Sequence, residues 1–267
     1  MINLENVTLV TIDSARDYTS KNNIRLAAMS RLFPFLLNGI NFGDILSINP
    51  FNKNKHILDE RFDTLWPFDW DNKEGQGISW YSNFLIKRLP FLIKTDWYLI
   101  VQWDGFPLFF DSWNDEFFNY PYIGGGHSVH NGGFSLRNTE MMLKMSECTD
   151  TFGSGAEDGF YSSFFDNEWM ADKNTPFKIK WPDDTIARKF ASFEGFDNTT
   201  ESFGWHRSGF YSPNDIAQTY RNTYTFSDNE INMLVQYSLT KDIPEKYLAP
   251  NYIELFDIEY NENFYQY

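Results

Sequence analysis

The sequence predicts an α/β protein with a central, mostly parallel sheet flanked by helices. Residues 7–12 and 42–48 are short runs of strand-forming residues that enclose a helical pattern, which together make a βαβ unit with two parallel strands. Residues 97–101 (WYLIV) are an uninterrupted apolar run, as expected for a strand that is buried on both faces. We expect the 267 residues to form one domain, 1–267.

The spacing of apolar residues and the positions of helix-breaking residues predict one helix before the second strand and one after it. A second helix is expected from Ser79 to about Leu89, where Pro90 ends or kinks it. Residues 49–77 are polar and rich in turn formers, so we interpret them as irregular. The helix between the first two strands has one apolar stripe, formed by Ile24, Ala27, Ala28, Leu32, Phe35 and Leu36.

The second half of the chain combines glycine-dense segments with short helices. The glycines between residues 117 and 137 predict backbone that lies close to a ligand or bends sharply at sheet edges. Short helices are predicted over 141–148 and 160–165. A capping box of Ser227 and Glu230 begins a helix over 229–237, and residues 207–267 are expected to be a C-terminal helical extension of the same domain.

Charge, cysteine content and the length of apolar runs limit the possible partners, disulfides and cellular location of the protein. The net charge of −15 disfavours binding to nucleic acid or to anionic lipid. Cys148 is the only cysteine, which excludes an intramolecular disulfide. The first residues lack the pattern of a signal peptide and no apolar run approaches the ~20 residues of a membrane span, so we expect a cytoplasmic protein.

The aromatic fraction of 19% has two interpretations. Aromatic rings stack on the apolar faces of sugars, so a surplus of rings would suit a carbohydrate cleft. The same rings could equally be packed in a large core. Composition alone leaves both interpretations open.

Three candidate chemical groups lie far apart in the chain. Asp104 follows the buried strand, and ligands of open α/β sheets bind at the carboxyl ends of strands. Glu157 and Asp158 follow a glycine-rich turn, and their side chains diverge by about 100° on a helix, so one of them could face a cleft as a general base. His206 and a carboxylate could together hold a divalent cation that bridges a diphosphate. The alternatives are a turn aspartate, acids at a helix start and a packed histidine.

Several common motifs do not occur in this sequence. The glycines do not form G-x-G-x-x-G, no G-K-[ST] follows them, and there is no G-x-S-x-G. His127 and His130 are two residues apart in a predicted loop, which is poor geometry for a zinc pair. Dinucleotide, P-loop, serine hydrolase and zinc interpretations are therefore disfavoured.

The order of six motifs resembles a family of uncharacterised bacterial and viral domains that is itself similar to GT-A glycosyltransferases. The motifs are V-Q-W-D-G-F (101–106), Y-I-G-G (122–125), N-G-G-F-S-L-R (131–137), E-D (157–158), A-S-F-E (191–194) and F-G-W-H (203–206). The resemblance implies a GT-A-like single domain. It also implies transfer of a hexosyl or pentosyl group from a nucleoside-diphosphate sugar to a hydroxyl acceptor, which we expect to be on a glycan.

For the donor, the resemblance implies contacts at the ends of the first strand and of the buried strand at 97–101. Thr11 and Asp13 are similar to contacts of the base and ribose of a nucleotide-sugar. Asp104 resembles the last acid of a D-x-D signature, which meets a metal and the diphosphate, whereas Gln102 replaces the first acid. The glycine pair that lets the sugar approach the backbone corresponds to Gly132 and Gly133, with Ser135 and Arg137 behind it.

For catalysis, the resemblance implies an inverting reaction with metal assistance. Asp158 resembles the base that deprotonates the acceptor hydroxyl, and Glu157 would assist acceptor binding. His206 resembles a later ligand of the metal, which would be Mn²⁺ or Mg²⁺. A non-catalytic carbohydrate-binding protein is the leading alternative because of Gln102. A nucleotidyltransferase is the second alternative, although few Lys or Arg residues lie near these motifs.

Overall fold

A computed structural model describes ten segments of the chain: residues 1–12, 36–48, 63–65, 78–102, 105–107, 109–125, 131–149, 156–166, 174–193 and 202–206. The strands are β1 (Ile2–Ile12), β2 (Ile40–Ile48), β3 (Asp63–Leu65), β4 (Trp97–Val101), β5 (Gly105–Pro107), β6 (Tyr122–Gly125), β7 (Asn131–Asn138), β8 (Ala191–Phe193) and β9 (Gly204–His206). The α-helices are α1 (Ile78–Lys87), α2 (Leu89–Leu92), α3 (Thr139–Ser146), α4 (Glu157–Ser162) and α5 (Asp184–Phe190). Two 3₁₀ helices are η1 (Phe110–Ser112) and η2 (Asp115–Asn119).

The main sheet is open and mostly parallel, which confirms the predicted α/β class. Its strand order is β3-β2-β1-β4-β7-β6. The β1 strand is parallel to β2 and β4, and β2 is parallel to β3. All five residues of β4 are buried, as its apolar run predicts. The helical stripe from Ile24 to Phe35 lies outside the described residues, as does the segment 207–267.

Two strands, β6 and β7, lie within the glycine-rich segment. The β7 strand runs antiparallel to both β4 and β6. Gly124 of β6 pairs with Ser135, whereas Gly125 pairs with Asn131, so three residues of β7 (132–134) have no partner in β6. This irregularity has the effect of a β-bulge, because it interrupts the alternation of side chains between the two faces of the strand. Gly132 and Gly133 lie within it.

The predicted second helix is confirmed, and Pro90 divides it from a short continuation. The α1 helix ends at Lys87, and α2 begins at Leu89 with Pro90 in its first turn, where a missing N–H costs no helical hydrogen bond. Phe84, Leu85 and Leu89 are buried, and Trp80 is partly buried. No helix among the described residues is both long enough and apolar enough to cross a bilayer.

The aromatic residues pack in two places. The main core lies between the sheet and helices α1, α3 and α4 and includes Tyr98, Tyr122 and Tyr161. A second cluster contains Phe134 stacked on Phe190 with ring centroids 4.8 Å apart, with Phe203 nearby. This cluster joins β7 to the small sheet of order β5-β9-β8. Among the described residues, many of the rings are therefore core rather than cleft.

Candidate functional site

Strand direction brings segments that are distant in sequence to one edge of the sheet. Because β1 and β4 are parallel, their carboxyl ends meet, and Thr11 pairs with Val101 beside Gln102. Because β7 is antiparallel to β4, its amino end reaches the same edge, where Gly132 and Gly133 lie. We call the residues Thr11, Gln102, Gly132 and Gly133 the carboxyl edge. It is the position at which open α/β sheets bind ligands.

Gly133 lies against His206 and Gln102. A Cβ atom on Gly133 would overlap Nε2 of His206 and would lie 2.6 Å from Oε1 of Gln102. His206 belongs to β9 and is 2% exposed; it reaches this point because β9 pairs with β5 at Gly105. A Cβ on Gly105 would overlap the same imidazole ring. The structure thus brings His206 and Gln102 together, and both glycines are needed for the close approach.

Two of the groups beside Gly133 are of kinds that bind metal ions. Nε2 of Gln102 donates to the hydroxyl of Tyr81 at 2.8 Å, and its carbonyl oxygen is turned to Gly133. A carbonyl oxygen and an imidazole nitrogen are both possible ligands of divalent metals. Asp104 lies outside the described residues, as does Asp13. Within the segments that are described, no three His, Cys, Asp or Glu side chains form a metal-binding group.

Gly132, the preceding residue, lies against a buried ion pair. A Cβ atom on Gly132 would overlap Oε1 of Glu157 and would lie 2.7 Å from Nη2 of Arg137. Those two atoms are 3.1 Å apart, and the side chains of Arg137 and Glu157 are 0% and 5% exposed. Glu157 is the first residue of α4. Gly132 therefore marks the contact between the irregular part of β7 and the start of that helix.

The guanidinium of Arg137 is held from several directions. Its Nε donates to Oγ of Ser135 at 2.9 Å, and its Nη2 donates to the carbonyl oxygen of Gly132 at 3.2 Å. Its Cζ lies 4.9 Å and 5.0 Å from the ring centroids of Tyr122 and Tyr161, which are cation–π distances. Among the described residues, Nη1 of Arg137 has no hydrogen-bond partner.

Burial and the contacts among these side chains together shift their pKa values. Burial raises the pKa of Glu157, and the attraction of Arg137 opposes the rise without cancelling it. Burial also raises the pKa of Tyr98 to about 12, again against the influence of Arg137. For Arg137, burial acts to lower the pKa, but Tyr122, Tyr98 and Glu157 raise it well above its ordinary value. The tyrosines are therefore neutral and the arginine is cationic at neutral pH.

Asp158 has a different environment from Glu157, although the two are adjacent. Asp158 is partly exposed, and its Oδ1 accepts a hydrogen bond from the backbone N–H of Gly159 at 2.9 Å. Glu157 points inward to Arg137, and the divergence of about 100° between neighbouring helical residues turns Asp158 away from that contact. The proposed assignment of Asp158 as the base stays a prediction.

Positions 158 and 206 were predicted to meet around one site together with 104. The structure places Glu157, the neighbour of Asp158, beside Gly132 and the ring of His206 beside Gly133. The meeting of 104, 158 and 206 around one site stays a prediction. Sequence reasoning assigned Arg137 only a place behind the glycines and did not predict its ion pair with Glu157. The sequence signal for this ion pair was weak: Arg137 is the charged residue of the segment NGGFSLRN and lies two positions after Ser135, on the same face of a strand.

The described residues define an α/β protein with a mostly parallel open sheet and a group of polar side chains at its carboxyl edge. The chain belongs to the family described as "Protein of unknown function (DUF5672)", whose profile matches residues 71–206. The matched segment contains every residue of the site described above except Thr11.

Comparison with other proteins adds little to the family assignment. No curated protein matched the chain. Among solved structures, the chain is similar to the bifunctional IspDF from Campylobacter jejuni, with 9% sequence identity and a TM-score of 0.33. That match covers 56% of this chain and 45% of IspDF, so the chain spans less than half the length of that protein.

Proposed function

We propose that the chain is a glycosyltransferase with a GT-A-like fold, which transfers a sugar from a nucleoside-diphosphate donor to a hydroxyl acceptor. The observation that carries this proposal is the convergence at the carboxyl edge. There, Gly132 borders Glu157 at the start of α4, and Gly133 borders His206 and Gln102. These residues come from four of the six motifs that carry the resemblance.

The donor would occupy the carboxyl edge. Thr11 is the second-last residue of β1 and pairs with Val101, a position suited to contact of the nucleoside, with Asp13 two residues further on. Gly132 and Gly133 present backbone instead of side chains, so a sugar can approach closely. A divalent cation, Mn²⁺ or Mg²⁺, bound by Asp104 and His206 would supply positive charge for the departing diphosphate.

The acceptor hydroxyl would lose its proton to Asp158. Glu157 is buried and its carboxylate is already engaged by Arg137, so it is poorly placed to take a proton from an entering substrate. Asp158 is partly exposed at the same helix start. A base in this position contributes about 10²- to 10⁴-fold to the rate. Glu157 would then shape the acceptor site from behind, and in-line attack would invert the sugar.

A non-catalytic carbohydrate-binding protein is the second candidate, and Gln102 is the observation that favours it. A neutral amide stands where the D-x-D signature has an acid, and its nitrogen is engaged by Tyr81. An amide binds a divalent cation more weakly than a carboxylate does, because it carries no charge. Glycan recognition by the same edge would need no diphosphate chemistry.

Release of nucleoside diphosphate tests the proposal. The purified chain is incubated with Mn²⁺ and, separately, with UDP-glucose, UDP-galactose, UDP-N-acetylglucosamine and GDP-mannose. We expect slow hydrolysis of at least one donor, loss of that activity in Asp104→Ala, and full activity in Asp111→Ala, which changes an exposed aspartate on η1.

The opposite pattern would identify the alternative. If none of the four donors is consumed and none raises the melting temperature, while free oligosaccharides do raise it, the carbohydrate-binding function replaces the transferase. Unchanged hydrolysis in Asp104→Ala would remove that residue from the donor site.

A further inference from the structure

Arg137 connects two parts of the molecule that lie far apart in sequence. Its Nη2 donates to the carbonyl oxygen of Gly132 at 3.2 Å and to Oε1 of Glu157 at 3.1 Å. The first contact belongs to the irregular segment of β7, and the second belongs to the first residue of α4. A single nitrogen atom therefore joins the carboxyl edge to the helix that carries Asp158.

The guanidinium has little freedom to turn. Its Nε is bound to Ser135, and its plane is enclosed by the rings of Tyr122 and Tyr161. Oγ of Ser135 also donates to the carbonyl oxygen of Gly132 at 3.0 Å. Because the fork of an arginine is rigid, fixing Nε also fixes the direction in which Nη2 presents its two N–H groups.

The other end of the ion pair is fixed as well. Oε2 of Glu157 accepts a hydrogen bond from Oγ of Ser82 on α1 at 3.5 Å. The carboxylate of Glu157 is thus held between α1 and β7. Since Glu157 begins α4, its direction fixes the rotation of the first turn of that helix, and neighbouring side chains follow at about 100° per residue.

The energetics of the Arg137–Glu157 ion pair indicate that it orients the two segments it joins and adds little to the stability of the fold. Removing two charges from water costs several kcal/mol per ion, and apolar replacements of similar size are often neutral or stabilising. An arginine that is fully buried is therefore a poor means of stabilising the fold. What it provides, and an apolar pair would not, is a directional contact between the glycine dipeptide and α4.

We propose that Arg137 is a positioning residue, which holds Glu157 inward and thereby determines where the carboxylate of Asp158 points. This inference rests on the proposed function for the role of Asp158 as the base. The geometric statement, however, concerns only the chain itself. It can be tested without a substrate.

The test compares the native pair with an apolar pair, Arg137→Met with Glu157→Leu. Cys148 is the only cysteine, so in a Cys148→Ser, Asp158→Cys background the introduced thiol is the single reactive group. Its rate of alkylation by iodoacetamide reports the exposure and direction of the side chain at that position. We expect the apolar pair to keep the melting temperature but to change the alkylation rate several-fold.

A matched control changes a different ion pair in the same background. Lys144 and Glu140 form an exposed pair on α3, with Nζ and Oε1 2.7 Å apart. The pair Glu140→Gln with Lys144→Gln is expected to leave both the melting temperature and the alkylation rate unchanged. If the apolar pair at 137 and 157 does not fold, Arg137→Lys replaces it, because a lysine keeps the charge but loses the rigid fork.

An unchanged alkylation rate in the folded apolar variant, or in Arg137→Lys where that variant is used, overturns the proposal. A second measurement links it to catalysis: with a donor that the native chain hydrolyses, the apolar pair should lower kcat by roughly a hundredfold and leave the donor-induced thermal shift intact. If the native chain hydrolyses no donor, the proposed function fails, whereas the alkylation result still decides the role of Arg137.

Discussion

Gly132 and Gly133 are neighbours in sequence, but they border two chemically different regions. The region beside Gly132 contains a buried cation, a buried carboxylate and neutral tyrosines. The region beside Gly133 contains the amide of Gln102 and the ring of His206. The first region holds its charges away from water and so orders the backbone, whereas the second offers the kinds of atom that contact a ligand. The comparison separates the structural support of the site from its chemistry.

The largest expected effect comes from leaving one charge of the first region unpaired. Glu157→Leu leaves the guanidinium of Arg137 buried without its counter-charge, and an arginine cannot lose its proton in response. We expect the free energy of unfolding to fall by about 3–5 kcal/mol, measured by urea denaturation. Adding Arg137→Met should recover most of that loss. If Glu157→Leu alone is as stable as the native chain, the ion pair is not buried in solution.

Side chains at the two glycines should produce a smaller loss. Gly132→Ala would overlap Glu157, and Gly133→Ala would overlap His206, so each requires neighbours to shift. We expect each to destabilise the fold by about 1–3 kcal/mol in urea denaturation. The two should differ in ligand binding: with a nucleotide-sugar that binds, Gly133→Ala should weaken binding more than Gly132→Ala, because it also displaces His206 and Gln102. Equal loss of binding in both variants would contradict the division of the two regions.

The pH dependence of stability should distinguish Glu157 from an exposed glutamate. The pKa of Glu157 lies above its ordinary value of 4.5, so the folded chain holds this proton at a pH where the unfolded chain has lost it. Its contribution to stability is therefore complete below about 4.5 and declines as the pH rises through the folded pKa. In urea denaturation, the midpoint of the native chain should therefore fall relative to that of Glu157→Gln as the pH rises, because glutamine does not titrate.

The pH dependence of stability that comes from Glu140 should have the opposite sign in the same experiment. The hydrogen bond from Lys144 lowers the pKa of Glu140, so its contribution is present above the ordinary pKa and is lost as the pH falls. Glu140→Gln should thus differ from the native chain less at low pH than at neutral pH. The same sign for both glutamates would mean that burial does not govern Glu157.

The smallest expected effect is a gain in stability from a glycine outside both regions. Gly159 lies within α4, and a Cβ atom there would meet no other atom within 4 Å. Gly159→Ala should stabilise the fold by about 0.5–1 kcal/mol, because alanine loses less backbone entropy on entering a helix. A loss of stability there would mean that the surroundings of α4 are more crowded than the structure describes.

The sequence predicted the features that depend on local pattern. The apolar run of β4 and the paired strands around it gave the parallel sheet, and the position of Pro90 gave the division between α1 and α2. The glycine pair was predicted to allow close approach of a ligand; the structure shows protein side chains close to both glycines, and the ligand contact stays a prediction. Each of these follows from contacts between residues that are close in sequence or from the period of a single element.

The features that were missed depend on contacts between distant segments. The antiparallel direction of β7 and its three unpaired residues are set by pairing with β4 and β6, which no local pattern encodes. Nor could adjacent acids reveal which one points inward, since only the packing of α4 against Arg137 decides it. The roles of Asp13 and Asp104 stay predictions, because both lie outside the described residues.

Turnover by Asp158→Asn tests the proposed chemistry most directly. The native chain and this variant would be compared for release of nucleoside diphosphate from the same four donors with Mn²⁺, and for the thermal shift that each donor produces. We predict an unchanged thermal shift with turnover reduced by roughly a hundredfold or more, because the base acts on the acceptor and not on donor binding. Equal turnover in the two proteins would contradict the assignment of Asp158 and the mechanism that depends on it.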